Sequence, residues 1–139
     1  MKATELMLGD YVQFFNENLK KTQYEKVTSI KIDDGTRYIQ TAESDVYYRE
    51  EIYESIPLTL EILAKNGFYP DCDKEDIYKN KSYCYGCYIC IRHFLGDFSF
   101  GEMLYHYDTQ RFNSWFSILN VHELQHALKL CGIDKEIVL

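Results

Sequence analysis

The run Tyr24-Glu-Lys-Val-Thr-Ser-Ile-Lys-Ile32, closed by Asp33-Asp34-Gly35, constrains the chain more than any other stretch. Its period is that of a strand: Thr28, Ile30 and Ile32 fall on one face, Val27, Ser29 and Lys31 on the other. Asp-Asp-Gly is a tight-turn sequence, because Gly takes positive φ without steric cost and Asp tolerates it. The chain must then return beside itself over Thr36 to Thr41. A strand Tyr11 to Phe15, introduced by Gly9-Asp10, and another beginning over Asp45 to Tyr48 extend the pattern. Four or five short strands with tight turns predict a small SH3-like barrel or a strongly bent sheet. Thirteen tyrosines and eight phenylalanines suit such a sheet, since aromatic rings pack well on a half-buried pleated surface. The same rings also suit a binding surface.

Ser55-Ile56-Pro57-Leu58 breaks the strand pattern and divides the chain into a β-rich subregion, 1–56, and an α+β subregion, 57–139. The two are expected to assemble into one compact unit. Thr59 is placed to cap a short helix, Leu60 to Asn66, with an apolar stripe of Leu60, Leu63 and Ala64 and with Gly67 past its end. Asp71 to Lys81 is polar and charged, which predicts an exposed loop. Strands are predicted from Tyr83 to about Phe94 and from Phe98 to Tyr107, joined by a turn at Leu95-Gly96-Asp97. A third strand is expected over Phe112 to Ile118. The last element is a helix from Val121 to Leu130, with Asn120 and Glu123 spaced as a capping box and Gly132 as its stop. The fold class is therefore α+β: β-rich at the N-terminal end, a short central helix, then an antiparallel sheet packed by the final helix.

That final helix carries His122-Glu-Leu-Gln-His126, the pattern by which zinc peptidases hold their metal. Residues four apart lie about 40° apart around a helix, so both histidines share one face. Glu123 would then be the general base acting on a metal-bound water. Val121, Leu124, Ala127, Leu128 and Cys131 form the opposite, apolar stripe, which predicts a helix with its back in the core and its histidines toward a cleft. The residues beyond His126 do not complete the motif. The metzincin positions for Gly and a third His hold Lys129 and Gly132. Thirteen residues remain after His126, too few for the helix that supplies a glutamate ligand in thermolysin-like enzymes. A third ligand would have to come from upstream, from His93 or His106.

A second metal pattern is Cys84-Tyr-Gly-Cys87-Tyr-Ile-Cys90 with His93 three residues on. A structural zinc needs its ligands brought to one point by chain that folds back. If residues 83–94 form one strand, Cys84 and Cys90 stand roughly 20 Å apart and Cys87 points away. Cys72 and Cys131 carry no motif and read as small buried or partly buried residues. Phosphate-binding loops, dinucleotide fingerprints and serine nucleophile elbows are absent from the sequence.

A net charge of −7 and a pI near 5.0 argue against a nucleic-acid binder, which needs clustered Lys and Arg. The opening segment MKATELMLGDYV has no continuous apolar run, and no stretch reaches transmembrane length, which predicts a cytoplasmic protein without membrane contact. Five cysteines in a reducing compartment are expected to stay thiols unless a metal takes them.

Three segments, in order, resemble a family of small uncharacterised proteins from gut Bacteroidetes, their phages and mobile elements. Glu5-Leu-Met-Leu-Gly-Asp-Tyr-Val12 is similar to the family's ELRIGNYV. Ile56-Pro-Leu-Thr-Leu-Glu-Ile-Leu-Ala-Lys-Asn-Gly-Phe68 is similar to IPLTEEILLKNGF, and Val121 to Leu128 resembles YVHQLQNLYFAL. The likeness runs over most of the chain apart from residues 69–118. It implies no activity. It does imply that the positions of Glu123 and His126 are typically Gln and Asn, residues that cannot act as base and ligand. The expected function is thus a noncatalytic module that binds a protein partner through an aromatic-rich surface, an accessory protein of a phage or mobile element, with no cofactor. The alternatives are a zinc-dependent metallohydrolase using His122, Glu123 and His126, and a structural metal at Cys84, Cys87, Cys90 and His93.

Overall fold

Two antiparallel five-stranded sheets and two short helices are built from this sequence. The structure, a computed structural model, describes residues 6–72, 74–84, 87–106 and 109–139, with the side chains of 81–87 and 104–110 outside that description. The chain separates into two units, Met1–Ile56 and Pro57–Leu139.

In the first unit the strands are β1 (Tyr11–Asn16), β2 (Lys21–Asp33), β3 (Thr36–Thr41), β4 (Tyr48–Arg49) and β5 (Glu54–Ser55), ordered β4-β3-β2-β1-β5. Strand β2 serves two partners along its length: Lys21 to Lys26 pair with β1, and Val27 to Asp33 pair with β3. The change of partner coincides with a bulge between Val27 and Ser29. An extra residue bends a strand and shifts its side-chain alternation. Val27 is therefore buried with Ile30 packed toward it, although strict alternation places them on opposite faces. Ile32, expected beside Ile30, is 66% exposed because β2 runs on beyond the core. The β2–β3 turn forms as the sequence predicts, with Asp34 and Gly35 both at positive φ. A single 3-10 turn, Glu50–Ile52, joins β4 to β5, and β5 pairs with β1 through Val12 and Ser55. The strand expected over Asp45 to Tyr48 is instead Tyr48–Arg49, since Ser44 Oγ bonds within the preceding turn, accepting from Val46 N. Leu6, Val12, Val27, Ile39 and Tyr53 make the core, with Phe14 against it.

The second unit opens with α1 (Leu60–Lys65), whose N-cap Thr59 accepts a hydrogen bond from Ile62 N at 3.2 Å. Leu63 is fully buried, whereas Leu60 and Ala64 of the expected stripe are exposed. Next comes a meander: β6 (Phe68–Asp71), β7 (Lys74–Cys84), β8 (Cys87–Phe94), β9 (Asp97–His106) and β10 (Thr109–Ile118), in spatial order β10-β9-β8-β7-β6. Helix α2 (Val121–Leu130) closes it with the bounds that its caps predict. Tyr107, the expected end of the β9 strand, lies outside the described residues.

Two expectations are corrected here. Residues 71–81 are not a loop, because β7 covers most of them. Its polar residues find partners on neighbouring strands: Asp76 pairs with Arg92 at 2.7 Å, and Lys79 pairs with Asp71 at 2.5 Å. Among the described residues, Ile77 alone supplies a wholly apolar buried side chain there. Residues 83–94 are not one strand either; β7 and β8 are antiparallel neighbours, with Cys84 across from Tyr88.

Buried side chains line both faces of this sheet. Ile77, Cys90 and Met103 cluster on one, and the paired Ile91 and Phe100 lie on the other. Between β9 and β10 the backbones approach closely at Gly101, where a Cβ would stand 2.1 Å from the Asn113 carbonyl oxygen. The C-terminal tail is held by the buried Asn66 side chain. Its Nδ2 donates to the Val138 carbonyl at 2.8 Å, and its Oδ1 accepts from Val138 N at 2.9 Å.

Gly101→Ala is expected to lower stability by about 1–3 kcal/mol, since the intruding methyl meets backbone rather than a mobile side chain. Gly35→Ala, which adds only strain at positive φ in open space, should cost about 1 kcal/mol. Urea unfolding midpoints check this order, and equal midpoints would contradict it.

Candidate functional site

Of the two metal patterns, the His-Glu-x-x-His segment is set by helix ends and core. Glu123 sits at the third position of α2, where its Oε2 accepts the backbone N–H of Leu119 at 2.5 Å and of Asn120 at 2.9 Å. The Asn120 N–H is one of the donors that a helix N-terminus leaves unsatisfied, and Leu119 is the residue before the cap. His122, expected to face a cleft, is 1% exposed. It is buried with Val121, Leu124 and Gln125, so the buried side of α2 extends beyond the apolar stripe. His126 is half-buried, and the two rings meet edge to face at 5.8 Å. Among the described residues, no group of three His, Cys, Asp or Glu side chains converges to hold a metal.

The cysteine pattern is divided by its strand. Cys90 is buried in the Ile77–Met103 cluster, its Sγ donating to the Tyr88 carbonyl at 3.3 Å. His93, three residues on, falls on the other face of β8 and stacks on Phe98 at 4.5 Å. The side chains of Cys84, Cys87 and His106 lie outside the described residues. Cys72 is exposed, contrary to expectation, and Cys131 is half-buried.

The sequence does not mark the third place. The first unit has an open cleft of about 540 Å³, with Phe14, Gln23, Glu25, Tyr48, Ile52 and Tyr53 among its lining. It forms where the core face of β1 and β2 reaches the edge of the unit. Val12 and Glu25 are register partners, as are Phe14 and Gln23, so the row that begins as core ends as cleft floor. Two turns make the rim. Residues 17–20 are ordered by Asn16, whose Oδ1 accepts from the backbone N–H groups of Asn18 and Leu19 at 3.1 Å each. Asn16 is in turn fixed by Gln23, its Nδ2 donating to Gln23 Oε1 at 2.5 Å. Residues 42–47 form the other side, with Glu43 and Ser44 in the lining.

Glu25 is the unusual member. Its residue is 8% exposed, and its Oε2 accepts a hydrogen bond from the Thr41 hydroxyl. Tyr53 lies beside it and packs edge to face on Phe14, ring centroids 5.9 Å apart. Burial raises the Tyr53 phenol above its ordinary pKa; Thr41 acts against this, while the charges of Glu25 and Tyr48 add to it. Tyr48 and Ile52 remain largely exposed at the mouth. The cleft thus joins aromatic walls to carboxylates. Sequence periodicity alone gives Glu25 the look of a solvated strand residue, and only its pairing with Val12 reveals its place.

No family model, no curated protein and no solved structure matches the chain.

His122→Ala should destabilise the second unit by about 2 kcal/mol, as removal of a buried ring does, while His126→Ala costs less than about 1 kcal/mol. Thermal unfolding of both variants measures the difference. Burial pushes the Cys90 thiol from 9.0 up to about 12, with the Lys79 charge acting against it. The neutral thiol is thus favoured in the folded state. Its stabilisation is complete below pH 9 and is lost as pH rises through 9 to 12, at up to about 1.4 kcal/mol per pH unit. Urea midpoints across this window should fall less steeply for Cys90→Ala, and identical slopes would contradict the assignment.

Proposed function

We propose that the protein is a noncatalytic interaction module whose recognition surface is the cleft of the first unit. The observation that carries this reading is a half-open cavity walled by Phe14, Tyr48 and Tyr53, with exposed Ile52 and Phe15 at its mouth. Aromatic side chains anchored on a rigid sheet give a large contact area at low entropic cost. The strand order, the long shared β2 and the 3-10 turn before the closing strand support describing this unit as an SH3-like small barrel. Folds of that kind host many functions, so the reading rests on the cleft rather than on the barrel. The partner is a protein. The resemblance to the Bacteroidetes family suits an accessory protein of a phage or mobile element. Among the described residues no helix is long and apolar enough to cross a membrane.

Metal hydrolysis is the competing reading, and the use of Glu123 in capping α2 weighs against it. Ile52→Lys replaces a residue 47% exposed at the cleft mouth and should leave the unfolding midpoint unchanged. Proteins bound by the immobilised wild type should be lost with Ile52→Lys and kept with His126→Ala. Stoichiometric zinc in protein purified without added metal, lost only on His126→Ala, would overturn the proposal.

A further inference from the structure

We infer that the cleft of the first unit takes an arginine side chain of its protein partner. This rests on the cleft being the recognition surface. Glu17, Glu25 and Glu43 all line it, and among the described residues no Lys, Arg or His does. Acidic residues on a surface are commonplace; the decisive one is Glu25, more than nine-tenths buried on the floor.

Its carboxylate has the Thr41 hydroxyl as its hydrogen-bond donor, with no cation paired to it among the described residues. A buried carboxylate is costly unless hydrogen bonds or an opposite charge compensate it. A single hydroxyl satisfies one of its several lone pairs. The place where a compensating cation would sit is open cleft rather than packed protein.

The walls specify the cation further. Tyr53 and Phe14 stand beside Glu25, and Tyr48 is close enough for its charge to act on the Tyr53 phenol. Aromatic faces attract a cation, and a planar guanidinium both stacks on a ring and donates two parallel hydrogen bonds to a carboxylate. An ammonium is a compact, strongly hydrated point charge and uses this geometry less well. The exposed Glu17 and Glu43 on the two rim turns draw the cation in, an attraction that salt screens.

The test is a titration of the full chain with a fluorescent peptide of alternating alanine and arginine. The same peptide carrying citrulline, the neutral isostere of arginine, is the comparison. The arginine peptide should bind at least tenfold more tightly than the citrulline form and weaken as salt rises. A lysine form should fall between them. Glu25→Gln, which keeps an acceptor for Thr41, should lower arginine affinity at least tenfold. Glu75→Gln, an exposed change in the second unit, should leave it unchanged and so reports on net charge alone. If Glu25→Gln proves unfolded by circular dichroism, the exposed pair Glu17→Gln and Glu43→Gln must lower affinity severalfold, and no loss overturns the inference. Equal affinity for arginine and citrulline forms also overturns it. If both forms then lose binding with Ile52→Lys, the cleft survives as a recognition surface and only its choice of cation fails. If neither form binds at all, the inference falls, and the recognition surface is judged by its own capture experiment.

Discussion

Strand β2 is bonded to β1 over its first half and to β3 over its second, and the first unit depends on that double pairing. A flat strand could not serve both partners and still turn its apolar residues toward one core. The bulge after Val27 supplies the bend, and with it Val27 and Ile30 both face inward. The same curvature leaves one end of the core row open. There the sequence places Glu25 and Gln23 rather than more valine, and the core becomes a cleft. The local structure of one strand therefore decides where the candidate site lies.

The second unit depends on close approach and on polar pairing. Gly101 lets β9 and β10 draw together at a place where any side chain would overlap the Asn113 carbonyl. Polar strand β7 is held by Asp76–Arg92 and Asp71–Lys79 instead of by an alternating apolar row. The Lys79–Asp71 pair, its side chains largely buried, is held at the sheet rather than in open solvent, where such pairs contribute little. Asn66 bonds both backbone groups of Val138 and so acts as a one-residue strand partner for the tail. The Lys79–Asp71 pair and the Asn66 bonds satisfy charge and backbone that would otherwise be stranded away from water.

Much of the secondary structure was legible because its signals are local. Asp34-Gly35, Thr59 and the Asn120–Glu123 spacing each act within a few residues, and the elements they bound were found where expected. Strand β7 was illegible because its stabilisation comes from residues on β6 and β8, which a periodicity window does not contain. The hairpin of β7 and β8 was likewise hidden, with Gly86 the one break in a run of strand-forming residues from Tyr83 to Ile91. Of the candidate sites, the His-Glu-x-x-His motif stood out in the sequence, yet its glutamate caps a helix and its first histidine packs in the core. The cleft carries no motif, since its members come from β1, β2, β4, two turns and the 3-10 segment with the residue after it.

By itself the sequence determined the kind of fold, the ends of α2, the tight turns and an aromatic content suited to a binding surface. These come from backbone conformational preference and from side-chain periodicity, both of which act over short stretches of chain. Which aromatic residues form a surface, and which carboxylate is taken out of water beside them, only the tertiary structure decided. Burial is a property of what lies across a sheet from a residue, and Glu25 lies across from Val12 only once β1 and β2 are paired.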